Sequence, residues 1–201
     1  MNTALLSTTY FGPVQWYQKL NRYSQIRIEA CESYQKQTYR NRCIIATTQG
    51  TQILTVPVEK ASQIRDVRIS EHGAWRHLHW HALLSAYGES PFFEYFADDI
   101  RPFFEHRWDW LLDFNEAIVH TMCELLDIHP KITRTQTFTS HGKPSDCDDF
   151  RETIRPKHTP SDPHFLPRPY YQVYQHKHDF LPNLSILDLL FNMGNESIFY
   201  L

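Results

Sequence analysis

One short stretch carries the clearest chemistry of this chain. "ESYQKQTYRNRC", Glu32 to Cys43, sets Lys36, Arg40 and Arg42 on one side of an alternating pattern and Gln35, Gln37 and Asn41 on the other. That alternation reads as a β-strand polar on both faces, which has no core to join. In one reading the strand walls a ligand site, with Arg40 and Arg42 gripping phosphate or carboxylate bidentately beside Lys36. In the other it is a sheet edge whose charges deter pairing with other chains.

Two further polar residues interrupt apolar helix faces. "AWRHLHWHALLSAY" puts Trp75, Leu78, His79, Ala82, Leu83 and Ala86 on one stripe. "RWDWLLDFNEAIVHTMCELLDI" does the same with Trp108, Leu111, Leu112, Asn115, Ile118, Val119, Met122, Leu125 and Leu126. If the stripes line a pocket, His79 suits a general acid or base, because its ordinary pKa lies near neutrality, and Asn115 suits orienting a substrate. If they are core, each must be hydrogen-bonded there. His72, His77, His79 and His81 cluster, yet there is no HExxH and no Cys or carboxylate at ligand spacing, so no metal site is expected. Gly12-Pro13 is a place where an anion would meet a helix N-terminus. No GxSxG elbow is present, and Cys147 in "SDCDDF" has acidic neighbours that raise a thiol pKa.

The elements that must position these groups alternate between strand and helix. "ALLSTT" reads as a strand, "VQWYQKLNR" as a helix and "QIRIEACESY" as a second strand. "RNRCIIATTQGTQILTVPVEK" reads as a hairpin turning at Gln49-Gly50, and "DVRIS" as another β stretch. Ser90-Pro91 is a cap-then-proline start for "FFEYFADDI". "KITRTQTF" is a further strand, and "LPNLSILDLLFNMG" a short helix with Ser185 and Asp188 at capping-box spacing and Gly194 at its end. Six of the twelve prolines fall between His141 and Pro169, so residues 142–169 read as an irregular loop suited to a lid. The expected fold is α/β: a mixed, mostly parallel sheet flanked by helices, with a β-hairpin, in one domain spanning 1–201.

Composition narrows the partners. A formal net charge of −3 argues against a broad nucleic-acid face. No apolar run reaches the length of a membrane span, and "MNTALLSTTYFGPVQ" lacks a cationic n-region, so the expectation is cytoplasmic. The four cysteines form no CxxC pair and read as reduced thiols.

Taken in order, "YFGPVQWYQKL", "YQKQTYRNRC" running into "LTVPV", "HWHALLSAYGESPFFEYF", "LLDFN" and "YYQVYQHKHDFLPNLSILDLLFNMG" resemble the WbqC-like protein family over nearly the whole chain. The chain is similar to a short member, compressed after "TRTQTF". Carried over position by position, the family's motif residues are Tyr10, Lys36, Arg40, Asn41, Arg42, Trp75, His79, Tyr87, Asn115, Gln172, Ser185 and Asp188. The resemblance implies a transferase in surface-polysaccharide production of the O-antigen type, with aminoacyl (glycine) transfer to a sugar as one form. On that reading the Arg40, Arg42 and Lys36 cations hold a phosphate-bearing nucleotide-sugar or acyl donor. His79 deprotonates the acceptor, and Tyr171 with Gln172 shapes the acceptor side. No cofactor is named by it. Two alternatives stand: a nucleotidyltransferase-like enzyme, from the opening strand-loop-helix, and a non-catalytic scaffold or homodimer, from aromatic stretches such as "PFFEYF" and "IFYL".

Overall fold

The computed structural model describes residues 2–140, 147–157 and 160–201. It is a mixed α/β fold with a parallel sheet flanked by helices and an antiparallel hairpin. Strand β1 (Thr3–Leu6) is buried at every residue, as the centre of a two-sided sheet must be. Helix α1 (Val14–Arg22) carries the chain back to β2 (Gln25–Ile28), which pairs with β1 in parallel from Thr3↔Gln25 to Leu6↔Ile28. A parallel pair needs such a crossover, because a tight turn cannot reverse the chain twice.

The polar stretch after β2 is not a strand. Residues 34–41 run as turns and bends, with Gln37 at φ 60°, and strand geometry begins only at Arg42. A left-handed residue breaks the period-2 alternation that the sequence pattern suggested. The loop is held by the Tyr39 carbonyl accepting from the Tyr10 amide and the Ser62 carbonyl accepting from the Tyr34 amide. Strands β3 (Arg42–Thr47) and β4 (Gly50–Thr55) form the expected hairpin, registered Arg42↔Thr55 to Thr47↔Gly50, with Gly50 at φ 107°. "DVRIS" contributes only isolated bridges, Arg68 to Trp110 and Ile69 to Val58.

Helices α2 (Trp75–Tyr87), α3 (Phe93–Ile100), α4 (Pro102–Glu105) and α5 (Leu111–Leu125) form the aromatic-rich flank. Leu78 departs from the expected stripe and is 60% exposed. Ser90 does not cap α3, which starts at Phe93; its hydroxyl is buried with no partner among the described residues. Strand β5 (Lys131–Arg134) then adds to β2. A two-residue strand, β6 (Asp148–Asp149), pairs with the other side of β1 and was not foreshadowed by any apolar pattern. The sheet order is β5-β2-β1-β6, all parallel. After the short α6 (Gln175–His178) comes α7 (Ile186–Met193), capped by Ser185, whose Oγ accepts from the Leu187 amide at 3.3 Å. Gly194 ends it at φ 56°. One buried cluster runs from Ala4 to Leu201 and joins the sheet, the helices and the hairpin.

Candidate functional site

In open parallel sheets ligands collect outside the carboxyl ends of the strands, where neighbouring connections leave in opposite directions. Here that point lies between β1 and β6, and it is filled by an ionic lattice. Glu29, directly after β2, accepts from the Cys31 amide at 2.9 Å, Thr135 Oγ1 at 2.6 Å, the Thr139 amide at 3.0 Å and Arg151 Nη1 at 3.3 Å. Arg151, just past β6, also donates to Asp149 through Nε and Nη2 at 2.9 and 2.7 Å. Glu32 receives Arg40 twice, Nε to Oε1 at 2.8 Å and Nη2 to Oε2 at 2.6 Å, and Arg40 Nη2 also reaches Ser7 Oγ at 2.8 Å. Glu29, Glu32, Arg40 and Arg151 are all at most 4% exposed. So many directed donors around two carboxylates offset the cost of taking these charges out of water.

The segment Tyr39 to Arg42 partitions two spaces. Tyr39 and Arg40 look inward onto a cavity of only about 10 Å³ with Ser7, Thr9 and Arg151 on its walls. Asn41 and Arg42 line an open cleft of about 600 Å³, together with Tyr34, Lys36, Gln37 and the run from Thr55 to Ala61. That cleft holds three cations, Lys36, Arg42 and Lys60, against one carboxylate, Glu59. Asn41 is tied to β4's end through Nδ2, which donates to the Val56 carbonyl at 2.8 Å. Its Oδ1 is buried and without a partner among the described residues, and so is Arg42 Nε. An orphaned acceptor and an orphaned guanidinium donor thus sit on consecutive residues lining the cationic cleft.

The other sequence candidates lie elsewhere. His79 is 6% exposed and is not among the residues lining the cleft. Tyr10 Oη meets its Nδ1 at 2.9 Å, and the ring also hydrogen-bonds the Thr55 backbone. Burial pushes the imidazole down to about 4, so it is neutral at physiological pH. Burial also holds the Tyr10 phenol protonated, which makes it the donor in that pair. Trp75 and Phe114 close the cage at 5.2 Å from the His79 ring and 5.8 Å from the Tyr10 ring. Asn115 donates to the Arg40 carbonyl at 2.8 Å and to Thr8 Oγ1 at 3.1 Å. It therefore fixes the loop that carries the arginines from behind.

Gln172, Tyr87 and Asp188 gather at α7. Asp188 is fully buried, and instead of turning back to complete a capping box it accepts from Tyr170 Oη at 2.6 Å and Gln172 Nε2 at 2.8 Å. Burial pushes its carboxyl up, and those donors pull it back only in part. Tyr87 Oη accepts from the Ala46 amide, which ties α2 to β3. Ser185 Oγ donates to the Phe11 carbonyl at 2.8 Å. Tyr171 is 45% exposed and stands apart from the cleft. The helix N-terminus after Gly12-Pro13 does not offer free amides to an anion: Val14 N donates to the Leu184 carbonyl and Gln15 N to Asn183 Oδ1.

Sequence reasoning missed Glu29, Glu32 and Arg151. Glu29 carried a usable signal, as a charged residue immediately after a strand, where parallel sheets place functional groups. Of the expected lid, residues 142–146 and 158–159 lie outside the described residues. Among the described residues no three His, Cys, Asp or Glu side chains come together to hold a metal ion, and no helix is long and apolar enough to cross a membrane.

A WbqC-like protein family model matches residues 8–154, which takes in β1's loop, the Arg40 lattice, the cleft and Arg151. The chain is also similar to the uncharacterised protein Rv1507c of Mycobacterium tuberculosis, at 28% identity over 196 residues, covering 84% of this chain and 83% of that one. No solved structure matches it. This chain belongs to the WbqC-like protein family.

Proposed function

We propose that this protein is a transferase of surface-polysaccharide production that seats a phosphate-bearing donor, a nucleotide-sugar or an activated aminoacyl group, in the Lys36–Asn41–Arg42 cleft. The resemblance supplies the biological setting. The donor chemistry rests on one observation: among the described residues Arg42 Nε and Asn41 Oδ1 are buried without partners, whereas Arg40 is engaged by Glu32 and Ser7 through Nε and Nη2. Arg42 and Lys36 take the donor's anionic oxygens and Asn41 accepts from its hydroxyl or amine. Arg40 serves as the strut that holds both in place. Glu59 is the one carboxylate lining the cleft, and it takes the proton as the acceptor's amine or hydroxyl attacks and the phosphate leaves with the bonding electrons. His79, locked against Tyr10 and bonded to the Thr55 backbone of β4, positions the hairpin rather than touching substrate.

Steady-state kinetics on a responsive donor tests these roles. Arg42→Ala raises the donor KM by 10-fold or more, on the order of one lost charged hydrogen bond. Glu59→Gln lowers kcat with the donor KM kept. A variant pair with neither effect rejects the cleft as the reaction site. The nucleotidyltransferase-like alternative is less favoured, because the first amides of α1, where such a fold would receive phosphate, are already taken by Leu184 and Asn183.

A further inference from the structure

Helix α1 is buried from Val14 to Leu20, and that includes a polar face that a helix packed on a sheet would show to water. Gln15 is 7% exposed, Gln18 2% and Lys19 1%. What covers them is an irregular segment, 160–166, most of whose residues are themselves exposed. From that segment one side chain turns inward, Asp162, whose carboxylate is only 3% exposed. Its Oδ2 sits 2.6 Å from Lys19 Nζ and 3.0 Å from Gln15 Nε2, while Oδ1 takes the His164 amide at 3.0 Å. Lys19 Nζ is also 3.3 Å from Gln18 Oε1 and 4.7 Å from the centre of the Phe150 ring. Arg22 Nη1 reaches the His164 carbonyl at 3.3 Å.

We propose that Lys19 and Gln15 form a second anion-binding site, for a phosphate or carboxylate group, and that Asp162 occupies it as the chain's own stand-in, so that residues 160–166 are a displaceable strap. Three observations carry this beyond a simple staple. The donors are prearranged on a regular helix, whereas the acceptor arrives from 143 residues away on a segment without secondary structure. Phe150, which packs on Lys19, follows β6 directly, so the pair lies beside the carboxyl ends of β1 and β6 where parallel sheets take ligands. The strap places a single charged group inward, as a competitor for an anion would.

The test compares the thermal midpoints of wild type, Asp162→Ala and Asp162→Ala/Lys19→Met in inorganic phosphate, acetate and chloride at equal ionic strength. At about ten times the dissociation constant, Asp162→Ala rises by ~3 °C in phosphate or acetate over chloride. Wild type responds less, because its own carboxylate competes, and the double variant does not respond. The phosphate and acetate arms separate the two kinds of oxyanion. Chymotrypsin cleavage after Phe165, within the strap, is also faster in Asp162→Ala. Should Asp162→Ala fail to fold, Asp162→Asn removes the charge while keeping the shape. A variant that loses stability yet shows no anion-specific rise makes Asp162 a staple and overturns the proposal. A rise that survives Lys19→Met but disappears with Arg42→Ala belongs to the cleft instead, and it overturns the α1 site without touching the donor reading.

Discussion

Arg40 and Arg42 are two residues apart, yet they do opposite work. Arg40 is 2% exposed and clamps Glu32 through two hydrogen bonds, while Arg42 is half-buried beside an open cleft with its Nε unpaired among the described residues. Removing one partner of a buried, hydrogen-bonded pair leaves an uncompensated charge and costs about 3–5 kcal/mol. Arg40→Ala is therefore expected to lower the thermal midpoint by ~10 °C in a chain of this length. Arg42→Ala is expected to change stability by less than ~1 kcal/mol. Chemical denaturation of both variants checks the contrast; equal losses would mean that Arg42, too, is a structural residue.

His79 makes stability depend on pH in a defined window. Its folded pKa, about 4, lies below the ordinary 6.5, so the unfolded chain takes the proton first as pH falls. The stabilising contribution is fully present above 6.5 and is lost between there and about 4, amounting to ~3 kcal/mol. Urea midpoints at pH 7, 5 and 4 should fall steeply for the wild type. In His79→Phe that part of the fall is absent, though the variant starts lower.

Tyr10→Phe isolates the bond between the phenol and the imidazole. It leaves Nδ1 of a buried ring without its donor and costs about 1–3 kcal/mol. Because Tyr10 does not line the cleft, donor affinity is expected to stay within about 2-fold of wild type, as an isothermal titration would show.

Asp188 separates charge from hydrogen bonding. In Asp188→Leu the Tyr170 hydroxyl and the Gln172 amide lose their acceptor, at a cost of ~2–4 kcal/mol. Asp188→Asn keeps an acceptor oxygen and removes a buried charge, so it stays within ~1 kcal/mol of wild type at pH 7. Guanidinium midpoints of the two variants decide; a large loss in Asp188→Asn would show that the negative charge itself is required.

Elements written in local periodicity were legible in the sequence. Helix α1 runs over the stretch that its pattern marked, the Gln49-Gly50 turn closes the hairpin, and Leu111 to Met122 bury the face that their spacing defined. What was not legible depends on distant partners. Two aspartates in a Pro-rich segment become a strand only because β1 leaves an edge for them. The polar alternation from Lys36 to Arg42 imitates a strand, and it is broken by one left-handed residue, Gln37, that no composition rule marks. Arginine identity could not tell the strut from the free cation; Glu32, eight residues before Arg40, does. His79 and Asn115 did stand out as polar residues on apolar faces, and the structure seats both in buried hydrogen-bond networks behind the cleft.

The most direct test is a thermal-shift panel on wild type and Arg42→Ala with nucleotide-sugars, nucleotides, coenzyme A derivatives and aminoacyl adenylate mimics. A true donor at about one hundred times its dissociation constant is expected to raise the wild-type midpoint by several degrees, with the rise lost in Arg42→Ala. No shift with any anionic compound in either protein would contradict the donor cleft and favour a scaffold role, in which exposed side chains such as Tyr95 and Phe199 face a protein partner.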